Sequence, residues 1–230
     1  MKKSSSHITG ELFAFFRELR ENNNREWFAS NKERFESVVR EPLLQFIREF
    51  DFRLRAISPN FVADPRRSGG SLFRINRDIR FSKDKSPYKL AAGIQFRHRA
   101  GKNVHAPGYY LHLEPGGCFA GCGIWRPDGP TLLKVRKAIV RRPEDWGAAL
   151  PNGDDPRQFK LSGDRLRRPP KGFDSNHPLI EDLKWKDYVL FRELGEGQVQ
   201  APGFIDEFAA ACGDGAPFMR FLTEAVGLEW

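Results

Sequence analysis

Apolar residues recur at helical spacing through the first quarter of the chain. Leu12, Phe13, Phe16 and Leu19 fall three and four positions apart, which gathers them on one face of a helix. Thr9 stands where an N-cap is needed. Asn22-Asn23-Asn24 interrupts the pattern and offers a second cap at Asn24. Trp27, Phe28, Phe35, Val38 and Val39 resume the period. Pro42 then falls in the first turn of a further helix carrying Leu43, Phe46, Ile47, Phe50 and Leu54. Residues 58–70 hold Pro59, Pro65, Gly69 and Gly70 and read as a loop.

The middle of the chain switches to period two. Phe73, Ile75, Ile79 and Phe81 alternate with Arg74, Asn76, Asp78 and Arg80, the pattern of a half-buried strand with Phe73 and Phe81 on its core face. Lys83 to Pro87 reads as a turn, after which Leu90, Ala92, Ile94 and Phe96 alternate again. Residues 109–114 and 118–125 give two more strands around Pro115-Gly116-Gly117, and short links of this kind predict an antiparallel meander. Helical spacing returns at 131–140 and after Pro143. Residues 151–178 are irregular, 188–194 fit one more strand, and 204–212 and 217–226 fit closing helices. The expectation is an α+β fold: an antiparallel sheet of about four or five strands packed against N-terminal and C-terminal helices. It forms a single domain over 8–227, with residues 1–7 a disordered tail.

Composition changes this picture little. Of 230 residues 40% are hydrophobic, and Phe, at 20, is unusually frequent. Three Cys without framework spacing point to a reducing compartment. Glu11, Arg17 and Glu18 interrupt the Phe-rich start, which excludes a signal peptide or a membrane span there. A cytoplasmic protein with no membrane partner is expected; the oligomeric state is left open.

Charge changes it more. Residues 66–102 hold 11 Lys or Arg against Asp78 and Asp84, a net of +9 in a chain of +8. Such a concentration repels itself unless acids or a bound anion neutralise it. Arg77 is the anomaly, because it occupies an apolar-face slot between Ile75 and Ile79. A guanidinium there needs an acid from the helices, Glu26 or Glu33, or a ligand oxyanion. Asp78, beside three arginines, is expected to stay ionised. The turn adds hydroxyls and ammonium groups suited to phosphate.

Arg74, Arg77, Asp78, Arg80, Lys83, Lys85, Tyr88 and Lys89 are therefore the candidate ligand-binding residues. Arg77 and Arg80 would clamp the oxyanion, Asp78 orient the arginines and Tyr88 donate a hydrogen bond. The expected partner is a phosphorylated metabolite or a nucleic acid. Two alternatives stand beside this: a phosphoester-acting enzyme at the same place, with Asp78, Asp84 or His177 as proton carrier, and a scaffold in which the cluster is internal salt-bridge glue.

Other chemistry has weaker support. His112, Cys118 and Cys122 suggest zinc, but cysteines four apart on a strand stand roughly 13 Å from each other, too far for one tetrahedral ion. Neither Cys118 nor Cys122 has an evident base, and Cys212 sits in an Ala-rich helix. Glu114, His98, His105, His112, Asp174 and His177 are further acid–base candidates; the three histidines on or between strands read as surface residues. No metal and no cofactor is expected.

The run Arg74-Ile75-x-Arg77-Asp78-x-Arg80-Phe81-Ser82-Lys83-Asp84-Lys85-x-Pro87-Tyr88-Lys89 resembles the hallmark of a family known as domain of unknown function 2461. Asn22-Asn23-x-Arg25-Glu26-Trp27-Phe28 with Asn31-Lys32, Gly108-Tyr109-Tyr110-Leu111, Gly121-x-Gly123-x-Trp125-x-Pro127, Pro169-Pro170-Lys171-Gly172-Phe173 with His177-Pro178, and Leu183-Lys184 fit the same pattern. The resemblance spans about residues 8–227. Asn76 departs from the aromatic residue common at its position. The resemblance implies one α+β domain and carries over no catalytic residue.

Overall fold

The computed structural model describes residues 6–101, 106–151 and 158–230. The chain opens with helices α1 (Gly10–Glu21), α2 (Arg25–Ser30), α3 (Lys32–Phe35) and α4 (Glu41–Ile57). Thr9 occupies the N-cap of α1 without a side-chain bond. The Asn24 side chain caps α2 by accepting the Trp27 N–H at 2.9 Å. A π-helical turn, Glu36–Arg40, joins α3 to α4. Pro42 lies in the first turn of α4, as the sequence indicates, with helical backbone running into it from the π-turn. It has no N–H to give to the carbonyl four residues back, and the wider turn ahead of it accommodates the missing bond.

Six strands follow: β1 (Phe61–Val62), β2 (Ala92–His98), β3 (Gly108–Leu113), β4 (Cys118–Ile124), β5 (Lys160–Ser162) and β6 (Tyr188–Leu194). They form one antiparallel sheet in the order β1-β2-β3-β4-β6-β5. Alternation sends Ile94, Phe96, Tyr109, Leu111, Ala120, Cys122 and Leu190 to one face, where they are buried. Helices α5 (Gly129–Arg141), α6 (Pro143–Ala149), α7 (Ile180–Leu183), α8 (Glu196–Val199), α9 (Phe204–Asp214) and α10 (Ala216–Ala225) complete the fold. One hydrophobic cluster runs from Ile8 to Ala225. Its joints are aromatic. Phe50 stands 4.7 Å from Phe96 and 5.0 Å from Phe208, tying α4 to β2 and α9. Trp146 stands 5.2 Å from Phe221 and 5.8 Å from Tyr188, tying α6 to α10 and β6.

The structure departs from the sequence expectation in three places. Residues 73–81 form no regular strand; isolated bridges at Leu72 and Asn76 are all that remain of the expected ladder. Arg77 breaks the apolar face, and Pro87 on the return leg lacks an N–H to donate. Residues 58–70 contain β1, which pairs Phe61 with His98, and residues 151–178 contain β5 on the far edge. Of the anticipated tail, residues 1–5 lie outside the described residues, whereas Ser6 donates to the Ile8 carbonyl at 2.7 Å and His7 stands 3.0 Å from Glu49. No helix among the described residues is long and apolar enough to cross a membrane.

The joint at Phe50 gives a direct check on this packing. Phe50→Ala should lower the unfolding free energy by about 3–5 kcal/mol, read from urea denaturation followed by circular dichroism. A loss below about 1 kcal/mol would mean that the three elements do not meet there.

Candidate functional site: the basic excursion beside β2

The basic motif leaves the sheet beside β2 and returns to it. Phe73 N–H donates to the Gly93 carbonyl at 2.9 Å, and Gln95 N–H donates to the Ser71 carbonyl at 2.8 Å. Farther out the two legs hold each other: Lys89 N–H donates to Ile75 at 2.8 Å and Arg77 N–H to Pro87 at 2.9 Å. Ile75 and Tyr88 are buried. The Asn23 side chain grips Tyr88 from both sides, donating to its carbonyl at 3.0 Å and accepting its N–H at 3.1 Å. Phe28 stacks on the Tyr88 ring at 4.1 Å. The Asn-Asn-x-Arg-Glu-Trp-Phe stretch thus serves as the clasp of the basic stretch, a relation spacing alone did not reveal. It also places the Tyr88 ring in the core.

Beyond Arg77 the tip is held by its own acids. The Arg77 guanidinium pairs with Asp84 and donates to the Ser86 carbonyl at 3.2 Å. Its side chain is 28% exposed. The sequence places it between Ile75 and Ile79, in need of Glu26, Glu33 or a ligand oxyanion. With no strand formed, it folds into the tip and finds an acid seven residues ahead. Asp84 also accepts the Ser86 N–H at 2.9 Å and its hydroxyl at 2.6 Å. Arg80 forks onto Asp78 at 2.9 and 2.6 Å. Lys85 donates to the Ile79 carbonyl at 3.1 Å.

These bonds decide the ionisation of both carboxylates. Hydrogen bonds from Arg80, and then its charge and that of Arg74, draw the Asp78 carboxyl down to about 2. Bonds from Ser86 and then Arg77 hold Asp84 well below the usual carboxylate range. Both stay ionised near neutral pH, which suits bracing and not proton transfer. Phe81, expected on a core face, is 95% exposed.

At the base of the excursion the acids run out. Arg74 makes no ion pair among the described residues. Lys89 is half-buried; its ammonium donates to the Arg74 carbonyl at 2.9 Å and lies 5.3 Å from the centre of the Phe73 ring. Burial, and then the Arg74 charge, lowers the Lys89 pKa from the ordinary lysine value. Arg74 also lines a small cleft of about 40 Å³, partly open to solvent, with Phe16, Phe35 and Val39 among its lining. Two more arginines line it. Arg40 pairs with Glu36 and lies 5.0 Å over Phe35. Arg67 pairs with Glu36 at 3.2 Å and with Glu41. Neither belongs to the sequence motif, and only the fold brings them beside Arg74. Lys83, at the tip, makes no ion pair or side-chain hydrogen bond among the described residues.

The sheet face turned away from the helices holds a second polar group. Tyr110, His112 and Glu114 alternate along and just beyond β3 and share that face, a relation that period-two spacing alone could have shown. The Tyr110 hydroxyl meets His112 Nδ1 at 3.1 Å, His112 Nε2 meets Glu114 at 3.2 Å, and Arg20 donates to Glu114 at 3.3 Å. Burial pushes the Tyr110 phenol up to about 12. Its ring lies 6.0 Å from that of Phe73, the ring that Lys89 also approaches. The remaining candidates are structural. His98, expected at the surface, is 3% exposed and bonds the Glu229 carbonyl at 2.8 Å. His177 accepts the Leu179 N–H and Asp174 the Asn176 N–H within one loop. All three cysteines are buried and free, and burial raises their thiol pKa values. His105 lies outside the described residues. No group of three or more His, Cys, Asp or Glu among the described residues could hold a metal ion.

If the Asn23 clasp positions the excursion, Asn23→Ala should cost about 1–3 kcal/mol of stability and speed tryptic cleavage within residues 74–89. Unchanged cleavage would show that Phe28 and the two legs hold it unaided.

No curated protein sequence matches the chain. The sequence model of the family described as "Conserved hypothetical protein (DUF2461)" matches residues 11–221. That span takes in the clasp, the excursion and the whole sheet, and the chain belongs to this family.

Proposed function

We propose that the protein binds an anionic, phosphate-bearing ligand at the base of the basic excursion, where Arg74 and Lys89 stand side by side. One observation carries the reading. The half-buried Lys89 ammonium sits on the Arg74 carbonyl, neither Lys89 nor the exposed Arg74 guanidinium makes an ion pair among the described residues, and burial first and the Arg74 charge second lower the Lys89 pKa. An oxyanion between them relieves both the desolvation and the repulsion. Arg40 and Arg67 line the cleft beside Arg74 but already hold Glu36 and Glu41. Arg77 and Arg80 already hold Asp84 and Asp78, so they build the tip and do not clamp the ligand. Lys83 and Lys85 contribute field from the tip.

A second reading, an enzyme acting on phosphoesters, rests on the Glu114–His112–Tyr110 chain. A neutral His112 that gives its Nε2 proton to Glu114 accepts the Tyr110 hydroxyl proton at Nδ1. That supplies a proton carrier near a phosphate held at Lys89. It replaces Asp78, Asp84 and His177, which the bonds described above commit elsewhere.

Calorimetric titration with inorganic phosphate and phosphorylated metabolites tests the first reading. Arg74→Ala and Lys89→Ala should each weaken binding about tenfold or more without unfolding the chain. Binding should also fade as pH rises through the lowered Lys89 pKa. In the free protein the folded state holds the Lys89 proton less tightly than the unfolded state does. Stability therefore rises with pH between those two pKa values, and bound phosphate should flatten that rise. Binding that ignores both substitutions would refute the site. For the second reading, His112→Asn should abolish any hydrolysis of p-nitrophenyl phosphate while phosphate still binds; hydrolysis at the wild-type rate would remove His112 from the reaction.

A further inference from the structure

We infer that the natural ligand is a single-stranded nucleic acid, with phosphates along Arg74, Lys83, Lys85 and Lys89 and a base stacked on Phe81; this rests on the anion-binding reading. Phe81 is 95% exposed at the end of the excursion. Its exposure is built in, because the tip around it is braced by the Arg80–Asp78 fork, the Asp84 bonds to Ser86 and Arg77, and the Lys85 bond to Ile79. A ring fixed outward in this way is presented to a partner. The Arg80 guanidinium lies 5.8 Å from the ring centre, so a base on the free face completes a stack of cation, ring and base.

The arrangement of charge selects a polymer. Lys83 and Lys85 stand at the tip and Arg74 and Lys89 at the base, so successive phosphates of a strand meet them one at a time. Residues 74–89 carry six cations against two acids, so this surface attracts a polyanion. A duplex hides its bases from Phe81. A bilayer is a poorer fit, since Asp78 and Asp84, 47% and 60% exposed, stand among the cations and would face a flat anionic surface that a threading strand avoids.

The test is fluorescence anisotropy with labelled oligo(dT) and oligo(U) of about 10–16 nucleotides. Affinity should fall with salt at a log–log slope of about −2 to −3, as three or four phosphate contacts require. Phe81→Ala should weaken binding about tenfold at an unchanged salt slope, and Phe81→Trp should preserve it. Lys83→Gln with Lys85→Gln should make the slope shallower. The Phe81 ring is exposed, so its two substitutions keep the fold; circular dichroism checks the lysine pair, because Lys85 bonds the Ile79 carbonyl. Phe81→Ala binding like the wild type would overturn the inference. So would equal or tighter binding of a duplex, or Phe81-dependent binding to phosphatidylserine-containing vesicles in place of oligonucleotides. Phosphate binding at Arg74 and Lys89 without oligonucleotide binding sinks this inference alone. Indifference of every anion to Arg74→Ala and Lys89→Ala sinks the anion reading with it.

Discussion

An amide side chain just past the end of α1 holds the backbone of Tyr88 by its carbonyl and its N–H at once. The rest of the basic region depends on this contact. Residues 73–89 have no ladder to fix them beyond isolated bridges, and irregular segments normally wander. Here Asn23 supplies the missing strand partner, Phe28 supplies the packing surface, and buried Ile75 anchors the opposite leg. The N-terminal helices therefore set where the charge of the middle segment stands.

Within that frame the charges divide into two groups. At the tip, Arg77 and Arg80 each meet an acid from their own loop, and those contacts make a shape. This is the salt-bridge arrangement weighed from the sequence, but it lies inside the excursion and does not fasten sheet to helices. At the base, Arg74 and Lys89 face each other without an acid, and Lys89 gives its proton to a backbone carbonyl. A bond to a neutral carbonyl satisfies the donor but leaves the charge unbalanced. The same motif thus contains cations held by acids of their own loop and cations with no ion pair among the described residues.

Much of the fold was legible because burial writes a period into the chain. The 3.6-residue spacing located α1 and α4, Asn24 proved to be a cap, and β6 runs from Tyr188 to Leu194 as the alternation indicates. The period misled at 73–81 because alternation records which residues are apolar and not whether a neighbouring strand exists to pair with them. Arg77 was the visible flaw in that pattern, and it marks where the ladder fails. Strands β1 and β5, two and three residues long, are too short to write a period. The site was legible as a list of charges but not as pairs. Asp84 reaching Arg77, and Arg40 and Arg67 joining Arg74 at one cleft, follow from turns of the backbone that spacing does not encode.

The braced tip also bears on the energetics of recognition. A long basic loop without internal acids would be mobile and would lose conformational entropy on meeting a polyanion. Asp78 and Asp84 subtract two charges from the attraction, yet they hold Arg80 and the Phe81 ring in place before any partner arrives. Screening weakens each exposed pair as salt rises, whereas the backbone bonds between the legs and the Asn23 clasp are not ionic and persist. Arg80 forks onto a carboxylate that is itself exposed, so an approaching phosphate competes for the guanidinium at small cost. The acids thus set the geometry of the tip, at the cost of two of its positive charges.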